Sequence, residues 1–112
     1  MLASNRELVK HIVDEIDFVI DQTISKHKDE VTNNPVLSRA LVRSLEIIGE
    51  ASSKLDDEFR QKYPHIEWRK IISTRNKLIH NYFGIDYDIV WDIVVNKLPD
   101  LKIFLDEILA KA

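Results

Sequence analysis

The sequence contains no cysteine, which excludes disulfide frameworks, thiol nucleophiles and cysteine-ligated zinc or iron–sulfur sites. Glycine occurs twice and proline three times in 112 residues, too rarely for a turn-rich β fold and in keeping with long helices. No Gly-rich loop of the GxGxxG or GxxxxGK type is present to cradle a nucleotide phosphate. Apolar runs extend over only a few residues, so none is long enough to span a membrane. The opening stretch MLASNRELVK lacks the apolar centre of a signal peptide, and a cytoplasmic location is expected. Internal repeats and low-complexity tracts are absent.

What is present is an ordinary soluble composition, 45% apolar and 31% charged, expected to form one domain over residues 1–112. A domain of this size buries only about 60–70% of its unfolded surface, so pairing with a second copy would enlarge a modest core. The net charge of −3 argues against a general nucleic-acid coat, yet the charge is unevenly spread. Residues 60–80 hold six Lys/Arg and one acid, Glu67, or +5, while the remaining 10 basic and 18 acidic side chains give −8. Such a patch can attract phosphate on an otherwise acidic body. Charge alone does not separate that reading from a solvated helix face.

Hydrophobic spacing predicts four helical segments and no strand. Ser4 with Glu7 forms a capping-box pattern, followed by Leu8, Ile12, Ile16, Val19 and Ile20 in a stripe that runs to about His27. Lys28 to Asn33 reads as a polar break. Asn34 before Pro35 is an N-cap signal, and Leu37, Leu41, Leu45, Ile48, Leu55 and Phe59 extend a second helix to Tyr63, where Pro64 stops it. Gly49 inside it costs roughly 1 kcal/mol against alanine, and close approach by another helix or by a partner subunit would explain its presence. A third helix runs from Glu67 to about Phe83, with Gly84 as its left-handed terminator and Ile85 packing back. Asp86 caps a fourth, which Pro99 bends or splits near Lys97–Leu98. The expected architecture is an all-α up-and-down bundle of four helices, or five with that split.

The third helix carries the unusual residues. Trp68, Ile72, Arg75, Ile79 and Tyr82 recur at four, three, four and three, one apolar seam with a guanidinium inside it. A partly desolvated arginine needs a partner. An ion pair with Glu46 or Glu50 would supply one, and spacing alone leans that way; an anionic ligand would also serve. Asn76 and His80, four apart, share a helix face, where the amide can orient the ring. Histidine titrates near neutral pH and suits proton transfer. Arg75 and His80 lie about 140° and roughly 7.5 Å apart on the helix, still close enough to converge on one ligand.

The stretch WRKIISTRNKLIHNYFGIDYDIVWDIV resembles the signature of the HepT-like family of HEPN domains. Its Arg-x4-His core followed by x-Tyr falls on Arg75, His80 and Tyr82, with Asn76 as the polar residue after the arginine. LEIIGEA (Leu45 to Ala51), YPHIEW and the IVWDIV…LPDL run are similar to family segments as well, so that the resemblance covers the chain from about residue 35 onward. It implies a HEPN-like symmetric homodimer with both motifs lining one interface cleft. It also implies a metal-independent endoribonuclease, the toxin of a toxin–antitoxin pair, whose minimal nucleotidyltransferase partner transfers AMP to Tyr82.

Under that resemblance Arg75, Asn76 and His80 are the expected catalytic residues and RNA the substrate, with Arg69, Lys70 and Lys77 as candidate RNA-steering cations. An alternative of another class is a non-catalytic HEPN module that binds a nucleotide, or the substrate of a nucleotidyltransferase; a pure scaffold has no need of His80 or Asn76. No cofactor is expected. His11 with Asp14 and Glu15 has a spacing that can share a metal ligand, but no Glu-x-x-His pair accompanies it. The helices are too long for a helix-turn-helix DNA reader. Trp68, Trp91, Phe59 and Phe104 are expected as core or dimer contacts.

Overall fold

The first helix, α1 (Asn5–Thr23), begins where its cap predicts, with the Ser4 hydroxyl accepting from the Glu7 N–H at 3.1 Å. The computed structural model describes residues 3–79 and 84–111, with Arg75 and Ile79 described by backbone alone. Leu8, Val9, Ile12, Ile16 and Val19 form the buried stripe of α1. The helix stops four residues short of His27. Beyond Thr23 the stripe has no further buried apolar residue, since Ile24 is 76% exposed. The supposed polar break is also a helix, α2 (Lys28–Thr32). The Glu30 carboxylate accepts from the His27 N–H, and Val31 drops into the core, which is enough to fix one turn.

Asn34 caps α3 (Pro35–Ser53), its side-chain oxygen accepting from the N–H groups of Val36 and Leu37 at 2.9 and 3.0 Å. This helix was expected to continue to Tyr63 and does not. Ser52 and Ser53 hydroxyls donate back to the carbonyls of Ile48 and Glu50, Leu55 turns into the core, and a separate helix α4 (Asp57–Lys62) follows. The cause is tertiary. Asn5 donates to the Asp56 carboxylate at 3.0 Å and accepts from the Asp56 N–H at 3.2 Å, tying the break to the start of α1.

After Pro64, α5 (Trp68–Ile79) lies on α3, which α1 covers on another side. Packing from two sides accounts for the buried small residues Ser44, Gly49, Ala51 and Ser52 along α3. Gly84 adopts φ +121°, the conformation expected of it, and Ile85 packs against the core. No described atom lies within 4 Å of a Cβ placed there, so backbone strain alone opposes a side chain. Gly84→Ala is therefore expected to lower stability by about 1–3 kcal/mol, read from the urea midpoint. An unchanged midpoint would show that this turn is not held in place.

Asp86 caps α6 (Tyr87–Asp92), accepting from the N–H groups of Asp88 and Ile89. The predicted disruption at Pro99 takes the form of a π-helical turn (Ile93–Lys97) leading into α7 (Leu98–Ala110). Proline lacks an N–H and its ring crowds the carbonyl four residues back. The wider turn, in which the Leu98 N–H donates to the Ile93 carbonyl, accommodates that crowding without ending the helix. Leu98, Leu101, Leu105 and Ile108 bury one face of α7 in the core shared with α1. Lys102 reinforces that pairing by bridging Asp106 at 2.9 Å and Asp17 of α1 at 3.4 Å, and hydrogen bonds to these carboxylates raise its pKa. Among the described residues every regular element is helical, and no helix is long and apolar enough to cross a membrane.

Candidate active site

Of the residues singled out in the sequence, Arg69, Lys70, Arg75, Asn76 and Lys77 lie on α5, which is anchored at its N-terminus. Trp68 is 7% exposed, its indole N–H donates to the Tyr63 carbonyl at 3.2 Å, and its ring lies 6.4 Å from that of Phe59. Phe59 in turn stacks at 5.1 Å on Tyr63. This aromatic group fastens α4 to the first turn of α5. The expected roles of Trp68, Phe59, Trp91 and Phe104 as packing residues hold, since Trp68 is part of the core and the other three pack against it.

The seam predicted for α5 is placed differently by the structure. Trp68, Ile71 and Leu78 reach the core, whereas Ile72 is only half-buried and stands outside that cluster. The packed line runs through Trp68, Ile71 and Leu78, so Ile71 replaces Ile72 as the packed residue. At 100° per residue the backbone position of Arg75 still falls between those of Trp68 and Ile71, towards α3. The Arg75 side chain lies outside the described atoms, and His80 and Tyr82 lie outside the described residues. Both carboxylates considered as Arg75 partners have a cation close by in the chain: Glu46 pairs with Arg43 at 3.6 Å and Glu50 with Lys54, the residue after α3, at 3.7 Å.

Two recesses flank α5. One, of about 530 Å3, lies between α4 and α5, with Arg60 and Gln61 on one wall and Arg69, Ser73 and the exposed Asn76 on the other. The second, of about 480 Å3, separates α5 from α6, the π turn and α7, and its floor is apolar, with Ile71, Leu78, Ile93 and Phe104. Its rim balances Lys70, Lys77 and Lys97 against Glu67, Asp86 and Asp100. The structure thus separates the three candidate RNA-steering cations. Arg69 shares a recess with Asn76, while Lys70 and Lys77 line the other.

Lys70 also pairs with Glu67 at 2.9 Å, and its hydrogen bond and charge hold the Glu67 carboxyl below the usual carboxylate range. Arg60 and Gln61 are neighbours of Asn76 that the sequence pattern does not reveal. A second helix continuous to Tyr63 would give no reason to place them there; only the break at Asp56 lets α4 run beside α5. No cluster of three or more histidines and carboxylates fit to hold a metal occurs among the described residues, His11 with Asp14 and Glu15 included.

The profile of the family described as "Ribonuclease HepT-like" matches residues 9–108. The chain belongs to that family. Among its HepT-like relatives is the protein named "Putative RNase TTE0752" from Caldanaerobacter subterraneus subsp. tengcongensis, 42% identical over 95% of each chain. "Putative RNase MJ0127" from Methanocaldococcus jannaschii is 44% identical over 86% of this chain and 77% of its own length. "Probable ribonuclease HepT" from Thermococcus cleftensis is 33% identical over 91% of this chain and 93% of its own. No solved structure gives a significant match. The helical bundle found here agrees with the HepT-like fold expected from the sequence.

Proposed function

We propose that the protein is a metal-independent endoribonuclease that acts as the toxin of a toxin–antitoxin pair. The observation that carries this reading is the HepT-like match over residues 9–108, which takes in the whole Arg75, Asn76, His80, Tyr82 pattern. In the proposed reaction the 2′-oxygen of RNA attacks the adjacent phosphorus and the 5′-oxygen of the next nucleotide leaves. A 2′,3′-cyclic phosphate and a 5′-hydroxyl result. His80 takes the proton from the 2′-hydroxyl or returns one to the leaving oxygen. Arg75 binds the phosphate and offsets charge developing on its oxygens. Asn76, exposed on α5, orients the imidazole or donates to the phosphate. DNA, which has no 2′-hydroxyl, is not a substrate for this chemistry.

Two copies form a symmetric homodimer in this reading, with both motifs on one cleft. A minimal nucleotidyltransferase is the partner. It silences the toxin when the Tyr82 oxygen displaces pyrophosphate from ATP and so acquires AMP, placing a bulky anion beside a phosphate site. The test is to incubate the purified protein with RNA in the presence and absence of EDTA. Cleavage that persists in EDTA and leaves cyclic phosphate ends is the expected result. Absence of cleavage at high protein concentration would instead favour the non-catalytic binding module.

A further inference from the structure

We propose that the recess between α4 and α5 is a strand-binding subsite, in which Arg60 and Arg69 hold RNA phosphates next to the bond being cut. The proposal rests on the ribonuclease reading above and adds two residues of α4 to it, Arg60 as a phosphate ligand and Gln61 as a polar wall. Four observations point to this side of α5. Asn76 opens into this recess, so a strand whose scissile phosphate sits at the motif continues into it. Its lining carries two guanidinium groups against a single carboxylate, Asp57, whereas the rim of the opposite recess has as many acids as lysines. A polyanion therefore gains more on the α4 side.

The two walls are also linked. Trp68 forms part of the lining, its indole N–H donates to the Tyr63 carbonyl just past α4, and its ring lies 6.4 Å from that of Phe59, so these contacts join the two sides of the recess. Finally, the Arg60 side chain is three-quarters covered and already faces an anion. It pairs with Asp57, whose side chain is 83% exposed, while its own is 25% exposed. An exposed carboxylate contributes little in water and is readily exchanged for phosphate. Guanidinium groups take phosphate oxygens in pairs, a geometry the compact ammonium of lysine does not offer.

The test is the double variant Arg60→Gln, Arg69→Gln made in a His80→Ala background, so that RNA is bound without being cut. Binding of a single-stranded RNA oligonucleotide would be followed by fluorescence anisotropy over a range of salt concentrations. Loss of two phosphate contacts is expected to weaken binding roughly tenfold to a hundredfold at low salt. The slope of log K against log salt should fall by about 1.4, at about 0.7 per contact for single strands. Removing the same charge at Lys10 and Lys26, by substitution to Gln, is expected to change neither quantity. Unchanged affinity and slope in the Arg60/Arg69 variant, with RNA still bound by its parent, would overturn the subsite and leave the ribonuclease reading standing. A parent that binds no RNA, together with wild-type protein that cleaves none, would overturn both. Equal melting temperatures for variant and parent separate lost contacts from lost folding.

Discussion

His80→Ala is expected to lower RNA cleavage by roughly 10²–10⁴-fold, the usual contribution of a positioned general acid or base. Transfer of the 2′-hydroxyl proton and protonation of the leaving 5′-oxygen both fall in the range where an imidazole is effective at neutral pH. Alanine supplies neither function and creates no buried charge, so helicity and the proposed dimer should be retained. The measurement is the initial rate on a labelled RNA, with circular dichroism and a sizing experiment on the same sample. A rate equal to that of the wild type would remove His80 from the mechanism. Retained fold with lost rate is the informative combination, since loss of both would follow from any disruption of the helical bundle.

Ile12→Ala is expected to destabilise the domain by about 2–5 kcal/mol, against a total of about 5–15 kcal/mol for domains of this kind. Ile12 has no exposed surface and sits midway along α1, the helix that packs on both α3 and α7. Three methyl or methylene groups are lost and the neighbouring helices, tied by the Asn5–Asp56 and Lys102–Asp17 contacts, have limited freedom to close the cavity. Ile12→Val, which removes one of those groups, should cost about 0.5–1.5 kcal/mol. Urea midpoints at one fixed protein concentration provide the check, because any self-association makes stability depend on concentration. A cost for Ile12→Ala no larger than that for Ile12→Val would mean that α1 is not packed as described.

The local signals in the sequence proved reliable where a cap or a breaker acts within one turn. Ser4, Asn34 and Asp86 cap the helices they were expected to cap, and Gly84 takes its left-handed conformation. Pro99 disturbs its helix near the expected residues, though as a π turn. Each outcome depends on groups a few residues apart. The errors fall where distant contacts compete with local pattern. The apolar spacing from Leu37 to Phe59 is compatible with one long helix, and nothing within it announces that Asn5 will hold Asp56 from 51 residues away. Likewise, Lys28–Thr32 has too few apolar residues to declare a helix, and it forms because Val31 finds a place in the core.

For the candidate site the division is similar. Residue types and their spacing, from Arg69 to Asn76 on α5 and on to His80 and Tyr82 in the sequence, are written in the chain and were enough to indicate the HepT-like family. Which residues surround them was not. Arg69 and Lys70 are adjacent in sequence but face different recesses, because consecutive positions on a helix point about 100° apart and different helices cover the two flanks. By itself the sequence determined the helical class, most helix starts and the motif, since these follow from short-range periodicity and hydrogen bonding. Tertiary structure alone decided where α3 ends, and with it that Arg60 and Gln61 stand beside Asn76, because that ending is set by a contact between distant parts of the chain.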